Sequence, residues 1–224
     1  MRGPWSNTIR AVAFDMDGLM INTEDLYEEI GDLIMQRRGK RMSPETRQQM
    51  MGRPARQAWE HLIQVEKLED DWQTLQAETS ELFQEILPSR LQTLPGLLEL
   101  IDRLEHRRIP RCVVTSSHRK FAEHVLGLCS VVHRFEFLLT AEDVTRGKPS
   151  PDVYLLAAER LKIQPAEMLV LEDSGNGSHA AASAGACTVA VPSRHTLDHR
   201  FPDGIYFAQS LADPIVYKLI GDLD

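Results

Sequence analysis

Asp15 and Asp17 stand two positions apart in the stretch Ala11-Val12-Ala13-Phe14-Asp15-Met16-Asp17-Gly18. Two carboxylates on one side of a near-extended chain repel each other unless a cation or a shared proton lies between them. Three further stretches carry groups of complementary chemistry: Thr115-Ser116-Ser117, Lys148 in Gly147-Lys148-Pro149-Ser150-Pro151-Asp152, and Glu172-Asp173 in Glu172-Asp173-Ser174-Gly175-Asn176-Gly177. Together they contain the parts that phosphoryl transfer needs. One carboxylate can attack phosphorus, and a second can protonate an alkoxide and then activate water. Hydroxyls and a lysine can hold phosphoryl oxygens and neutralise charge, while carboxylates suit the hard cation Mg²⁺. Each stretch also has an ordinary structural reading. An aspartate or hydroxyl beside a turn can cap a helix, Lys148 can be a solvated loop charge, and Glu172-Asp173 can be helix-entry carboxylates.

The elements that must position these groups follow from the apolar pattern. Ala11–Phe14 is an apolar run that stops at a carboxylate, the mark of a strand covered on both faces of a parallel sheet. Strands are expected over Arg111–Thr115, Phe135–Leu139, Met168–Leu171, Thr188–Val191 and Ile205–Phe207. Helices are expected between them, with Leu97, Leu98, Ile101 and Leu104 on one face and Val153, Leu156, Ala157 and Leu161 on another. Strands that alternate with helices imply right-handed crossovers and a doubly wound parallel sheet, so the fold class is α/β and Rossmann-like. All four chemical stretches then fall at strand ends on one edge, where such sheets bind their ligands.

Residues 19–87 differ in composition, rich in Glu, Gln, Arg and Met with no β-branched run. Leu26, Ile30, Leu33 and Ile34 lie at helical spacing, Ser43-Pro44 opens a short helix, and Trp59 and Trp72 head two more. The expected organisation is a core of residues 1–18 and 88–224 with a helical insertion at 19–87, Pro88 marking the return. The formal net charge of −8 over 224 residues argues against a nucleic-acid or anionic-membrane partner. Cys112, Cys129 and Cys187 lack metal-site spacing and are expected as buried, reduced thiols. Residues 1–10 contain no apolar signal segment and no stretch is apolar enough to span a membrane, so a cytoplasmic location is expected.

The four ordered motifs resemble the haloacid-dehalogenase-like superfamily, and more narrowly its sugar-phosphate phosphatase and β-phosphoglucomutase branch, which carries a helical cap after the first strand. The resemblance covers nearly the whole chain. It implies that Asp15 is the nucleophile that takes the phosphoryl group and that Asp17 is the general acid/base. Thr115 and Ser116 would bind phosphoryl oxygens, and Lys148 would stabilise Asp15 and the transferring group. The implied Mg²⁺ set is Asp15, Asp17 through its backbone carbonyl, Asp173, and Glu172 directly or through water. A monomer is the implied state, and the cap would close over a small-molecule phosphate ester.

Within that resemblance Asp17 favours a phosphate ester over a halide, because a halide leaves without a proton. The loop Met51-Gly52-Arg53-Pro54-Ala55-Arg56 holds no lysine for Schiff-base phosphonate chemistry. Arg56 matches a cap arginine that mutases use on a distal phosphate, but Tyr27 stands where they have a histidine and His118-Arg119 where they have Lys-Asn. The expectation is therefore a Mg²⁺-dependent phosphatase of a small phosphorylated metabolite, with a β-phosphoglucomutase-like mutase as the alternative. Arg53, Arg56 and the surroundings of Met51 and Trp59 are the expected specificity contacts. Asn22 departs from the aspartate common there in the family.

Overall fold

In a computed structural model of the chain, which describes residues 5–50 and 55–222, the chemical stretches are carried by a parallel sheet. Its strands are β1 (Ala11–Phe14), β2 (Arg111–Val114), β3 (Leu138–Leu139), β4 (Met168–Glu172), β5 (Cys187–Ala190) and β6 (Tyr206–Phe207). Their order is β3-β2-β1-β4-β5-β6, and every neighbouring pair is parallel. β1, β2, β4 and β5 are buried along their whole length, which is why their sequences are mostly apolar rather than alternating, with Arg111, Glu172 and Thr188 the exceptions. Phe14 pairs with Val113 on one side and Leu171 on the other, so β1, β2 and β4 end at one level. The Asp15 N–H continues the ladder to the Leu171 carbonyl at 3.0 Å, and the Thr115 N–H does so to Leu139 at 2.9 Å.

The helices of this unit are α5 (Leu97–His106), α6 (Arg119–Leu128), α7 (Asp152–Leu161), α8 (Gly175–Ser183) and α9 (Pro214–Leu219). Leu97, Leu100, Ile101 and Leu104 of α5 are all buried, the i, i+3, i+4, i+7 stripe of an amphipathic helix, whereas Leu98, expected on that face, points to solvent because it lies one residue off the stripe. One face of the sheet packs Ala13, Cys112, Val114 and Val170 against Val153, Tyr154, Ala157 and Ala158 of α7 and Ala180 and Ala181 of α8. Alanines dominate α8 because its backbone runs close to neighbouring chain. A Cβ on Gly175 would come within 2.4 Å of the Arg200 carbonyl. Burying each large aliphatic side chain of this core contributes ~1.5–3 kcal/mol.

The remaining unit is helical: α1 (Thr23–Arg37), α2 (Pro44–Met50), α3 (Ala55–Glu66) and α4 (Trp72–Arg90). Leu26, Ile30, Ile34 and Met35 of α1 and Leu75, Leu82, Phe83 and Leu87 of α4 are buried. Arg38 ties the chain after α1 to Asp70 through two nitrogens at 2.7 and 2.9 Å and to Glu78 of α4 at 2.8 Å. Such a planar two-point contact is the strong form of an ion pair, and it holds Arg38 above and Asp70 below their ordinary titration ranges.

The units comprise Met1–Asn22 with Gln92–Asp224, and Thr23–Leu91. Each boundary lies four residues beyond the expected one. Residues 19–22 stay with the sheet because Ile21 bridges Thr93, and the Met20 carbonyl accepts from Leu94 at 2.8 Å. Residues 88–91 stay with the helices because α4 continues through Pro88, whose missing N–H costs one bond near the end of a helix that Leu87 anchors in its core. Asn22 Oδ1 accepts the Gln92 N–H at 2.7 Å, a bond that an aspartate oxygen would accept equally. Phe135, expected to begin a strand, follows a 3₁₀ turn at Val132–Arg134 and stacks edge-on against Phe14 at 5.7 Å. The strand there shortens to Leu138–Leu139 because Phe135 is used for packing. Cys112 and Cys187 are buried, whereas Cys129 is half-buried at the end of α6; none of the three is in a disulfide. Among the described residues no helix is long and apolar enough to cross a membrane.

Candidate active site

Lys148 lies in the loop before α7, and its Nζ reaches back across the strand ends. It donates to Asp15 Oδ1 at 2.6 Å, Glu172 Oε1 at 2.6 Å and the Val114 carbonyl at 2.9 Å. An ammonium has three donors, so each is assigned a partner. The Lys148 side chain is 6% exposed. Desolvation works against its charge, but Asp15 and Glu172 outweigh it and hold Lys148 above the ordinary lysine range. Burial pushes the Asp15 carboxyl well above its ordinary range; Lys148 opposes that, while Glu172 and Asp17 reinforce it.

Asp17 sits two residues on, in a tight loop closed by Gly18 N–H to Ile21 O at 3.0 Å and Met20 N–H to Met16 O at 3.0 Å. Gly18 takes φ of +76°, a left-handed conformation that a glycine adopts without steric cost. Two hydroxyls donate to Asp17 Oδ2: Thr115 Oγ1 at 3.0 Å and Ser117 Oγ at 2.8 Å. The Ser117 N–H in turn donates to Thr115 Oγ1 at 3.0 Å. The half-buried carboxylate is thereby fixed in direction. Ser116 lies between them in the chain and is exposed.

Asp15, Glu172 and Asp173 are 7%, 0% and 3% exposed, and each offers an oxygen within 4.8 Å of the others. Three buried carboxylates facing one ammonium leave excess negative charge in a desolvated place, which is costly unless a cation compensates it. Oxygen-only donors of this kind fit a hard divalent ion such as Mg²⁺.

The structure thus brings together Asp15, Asp17, Thr115, Lys148, Glu172 and Asp173 on one sheet edge. Arg53 lies outside the described residues. Arg56 is exposed in α3, paired with Glu60 at 2.8 Å and 5.5 Å from the Trp72 ring centroid. Trp59 is buried and donates to Gln76 at 3.2 Å, a packing position within the helical unit. Sequence reasoning missed three contributors. Ser117 donates to Asp17 Oδ2 at 2.8 Å, Tyr154 donates to Glu172 Oε1 at 2.6 Å, and Ser174 donates to Glu172 Oε2 at 3.1 Å. The signal for Tyr154 was a hydroxyl on the inward face of α7, which needs a buried acceptor.

Residues 12–191 match the family described as haloacid dehalogenase-like hydrolase. The chain is 30% identical over 177 residues to the phosphorylated carbohydrates phosphatase of Thermotoga maritima, covering 79% of this chain and 82% of that protein. It is 31% identical over 225 residues to (DL)-glycerol-3-phosphatase 2 of Arabidopsis thaliana, covering 95% and 88%. The crystal structure of a HAD hydrolase, family IA, variant 3, from Entamoeba histolytica shares the fold, with a TM-score of 0.80, 24% identity, and coverage of 96% and 99%. A match of that span, on a sheet whose strand ends carry these groups, means that the chain belongs to the haloacid dehalogenase-like hydrolase family.

Proposed function

We propose that this phosphatase hydrolyses a small phosphorylated metabolite, a sugar phosphate or similar ester, through an aspartyl-phosphate on Asp15. An Asp15 carboxylate oxygen attacks phosphorus and the ester oxygen leaves, taking a proton from Asp17. Asp17, now a carboxylate, removes a proton from water as that water attacks the aspartyl-phosphate. Orthophosphate is released and Asp15 and Asp17 return to their starting states. Proton transfer of this kind is worth about 10²–10⁴ in rate. Lys148 keeps Asp15 aimed and offsets charge on the transferring group, and Thr115 and Ser117 direct the Asp17 oxygen. Thr115 and Ser116 are assigned to the phosphoryl oxygens.

Asp15 and Asp173, with the Asp17 backbone carbonyl and with Glu172 directly or through water, would hold Mg²⁺, which when bound supplies positive charge to the phosphoryl oxygens. Recognition of the rest of the substrate is assigned to Arg53 and Arg56. The names of the phosphorylated carbohydrates phosphatase and the glycerol-3-phosphatase support the substrate class.

The observation that carries the proposal is Lys148 Nζ placed 2.6 Å from both Asp15 and Glu172 at the ends of adjacent strands. The test is phosphate release with Mg²⁺ over sugar phosphates, nucleotides and phosphoglycolate. Asp15→Asn is expected to abolish release, and retained activity overturns the mechanism. If interconversion of a sugar 1-phosphate and 6-phosphate outpaces release, the enzyme is a mutase instead.

A further inference from the structure

Tyr154 is fully buried in α7, and its hydroxyl meets Glu172 Oε1 at 2.6 Å, the same oxygen that receives Lys148 Nζ at 2.6 Å. The ammonium also lies 5.3 Å from the Tyr154 ring centroid. The other Glu172 oxygen, Oε2, accepts the Ser174 hydroxyl at 3.1 Å and the Ser174 N–H at 3.4 Å. Gly177 closes the back of this carboxylate, where a Cβ would stand 1.8 Å from Oε1. Both Glu172 oxygens therefore accept hydrogen bonds from this chain. A phenylalanine would fill the same volume in α7, so packing alone does not call for a hydroxyl here.

We propose that Tyr154 is a positioning residue for phosphoryl transfer: its hydroxyl fixes Glu172, and Glu172 fixes Lys148 Nζ on Asp15. Lys148 sits between two carboxylates and would otherwise have two places to settle. A charge-assisted bond from Tyr154 holds Glu172 Oε1 still, so that the ammonium's third partner, Asp15 Oδ1, keeps one direction. This is the shell behind the reacting group that holds a site to its productive geometry. The inference rests on the phosphatase reading above.

The test is Tyr154→Phe, measured beside the wild type and Asp15→Asn at a temperature well below the melting point of each. The readouts are kcat and KM for a substrate found in the panel. Loss of a hydrogen bond to a charged group predicts a fall in kcat of about tenfold or more. KM is expected to stay within about twofold, because the substrate does not touch the buried phenol. A kcat within twofold of wild type overturns the inference. A loss of kcat accompanied by raised KM overturns it too, since the hydroxyl then supports the site in general. Activity retained by Asp15→Asn strikes the phosphatase reading instead. Activity abolished there but normal in Tyr154→Phe strikes only this inference.

Discussion

Gly177 lies so close to Glu172 that a Cβ on it would stand 1.8 Å from Oε1 and 2.0 Å from the carboxyl carbon. The glycine is required by contact, not by backbone conformation, because its φ is not among the positive ones. Gly177→Ala must displace a carboxylate that Lys148, Tyr154 and Ser174 all hold. Overpacking of this kind costs about 1–3 kcal/mol, a fall of a few degrees or more in melting temperature for a chain of this size. Phosphate release is expected to fall with it. A melting curve and an assay of the same preparation check both.

Asp17 accepts the Ser117 hydroxyl at 2.8 Å and the Thr115 hydroxyl at 3.0 Å, on one oxygen. If it supplies the leaving group's proton, Asp17→Ala should slow hydrolysis of an alkyl phosphate by about 10²–10⁴. With p-nitrophenyl phosphate, whose leaving group departs without a proton, the same variant should give a burst of p-nitrophenolate matching the enzyme, followed by slow turnover. Stopped-flow absorbance checks this. Ser117→Ala should slow alkyl phosphate hydrolysis by roughly tenfold, the worth of one bond to a charged group.

Because Asp15, Glu172 and Asp173 crowd within 4.8 Å, a divalent cation bound among them would relieve their repulsion in the folded state alone. Chelation should abolish phosphate release and added Mg²⁺ should restore it. Mg²⁺ at about 100 times its dissociation constant should stabilise the fold by about 2.7 kcal/mol, raising the melting temperature without substrate. Asp173→Asn should remove that rise. Differential scanning fluorimetry with and without the ion is sufficient.

Glu142 offers a pH test away from the reacting groups. The Thr140 hydroxyl and then His118, with help from the Arg119 N–H, hold its carboxyl down from 4.5 to about 2. A group whose folded value is depressed stabilises the fold at pH above its unfolded value, and that stability is lost as pH falls through the folded one. The stability difference between wild type and Glu142→Gln should be complete at pH 7 and should shrink below about 4.5. Urea midpoints at pH 7, 4.5 and 3.5 measure it. The difference should be small, because Glu142 is solvent-exposed and its contacts are screened.

Much of this was legible in the chain. Short, mostly apolar runs marked β1, β2, β4 and β5, since strands covered on both faces leave little room for alternation. Periodicity marked α5 and α7 in the same way, because burial selects one face. With alternating strands and helices, that was enough to put Asp15, Thr115, Lys148 and Glu172-Asp173 on one edge. The misses were local rules overridden by packing. Pro88 stayed helical because Leu87 is buried in the helical unit, and Phe135 turned away from the sheet ladder to stack on Phe14.

The sequence by itself determined the architecture and the chemical types at the strand ends, because hydrophobic period and residue chemistry are properties of short segments. Only the tertiary structure decided which groups meet. Ser117 reaches Asp17, 100 residues away, because the turn after β2 points that hydroxyl inward. Tyr154 shares Glu172 Oε1 with Lys148 because α7 packs its inward face against the ends of β1 and β4. Pairs of this kind depend on strand register and helix approach to within an ångström, and those are set by the packing of distant side chains rather than by any segment's own pattern.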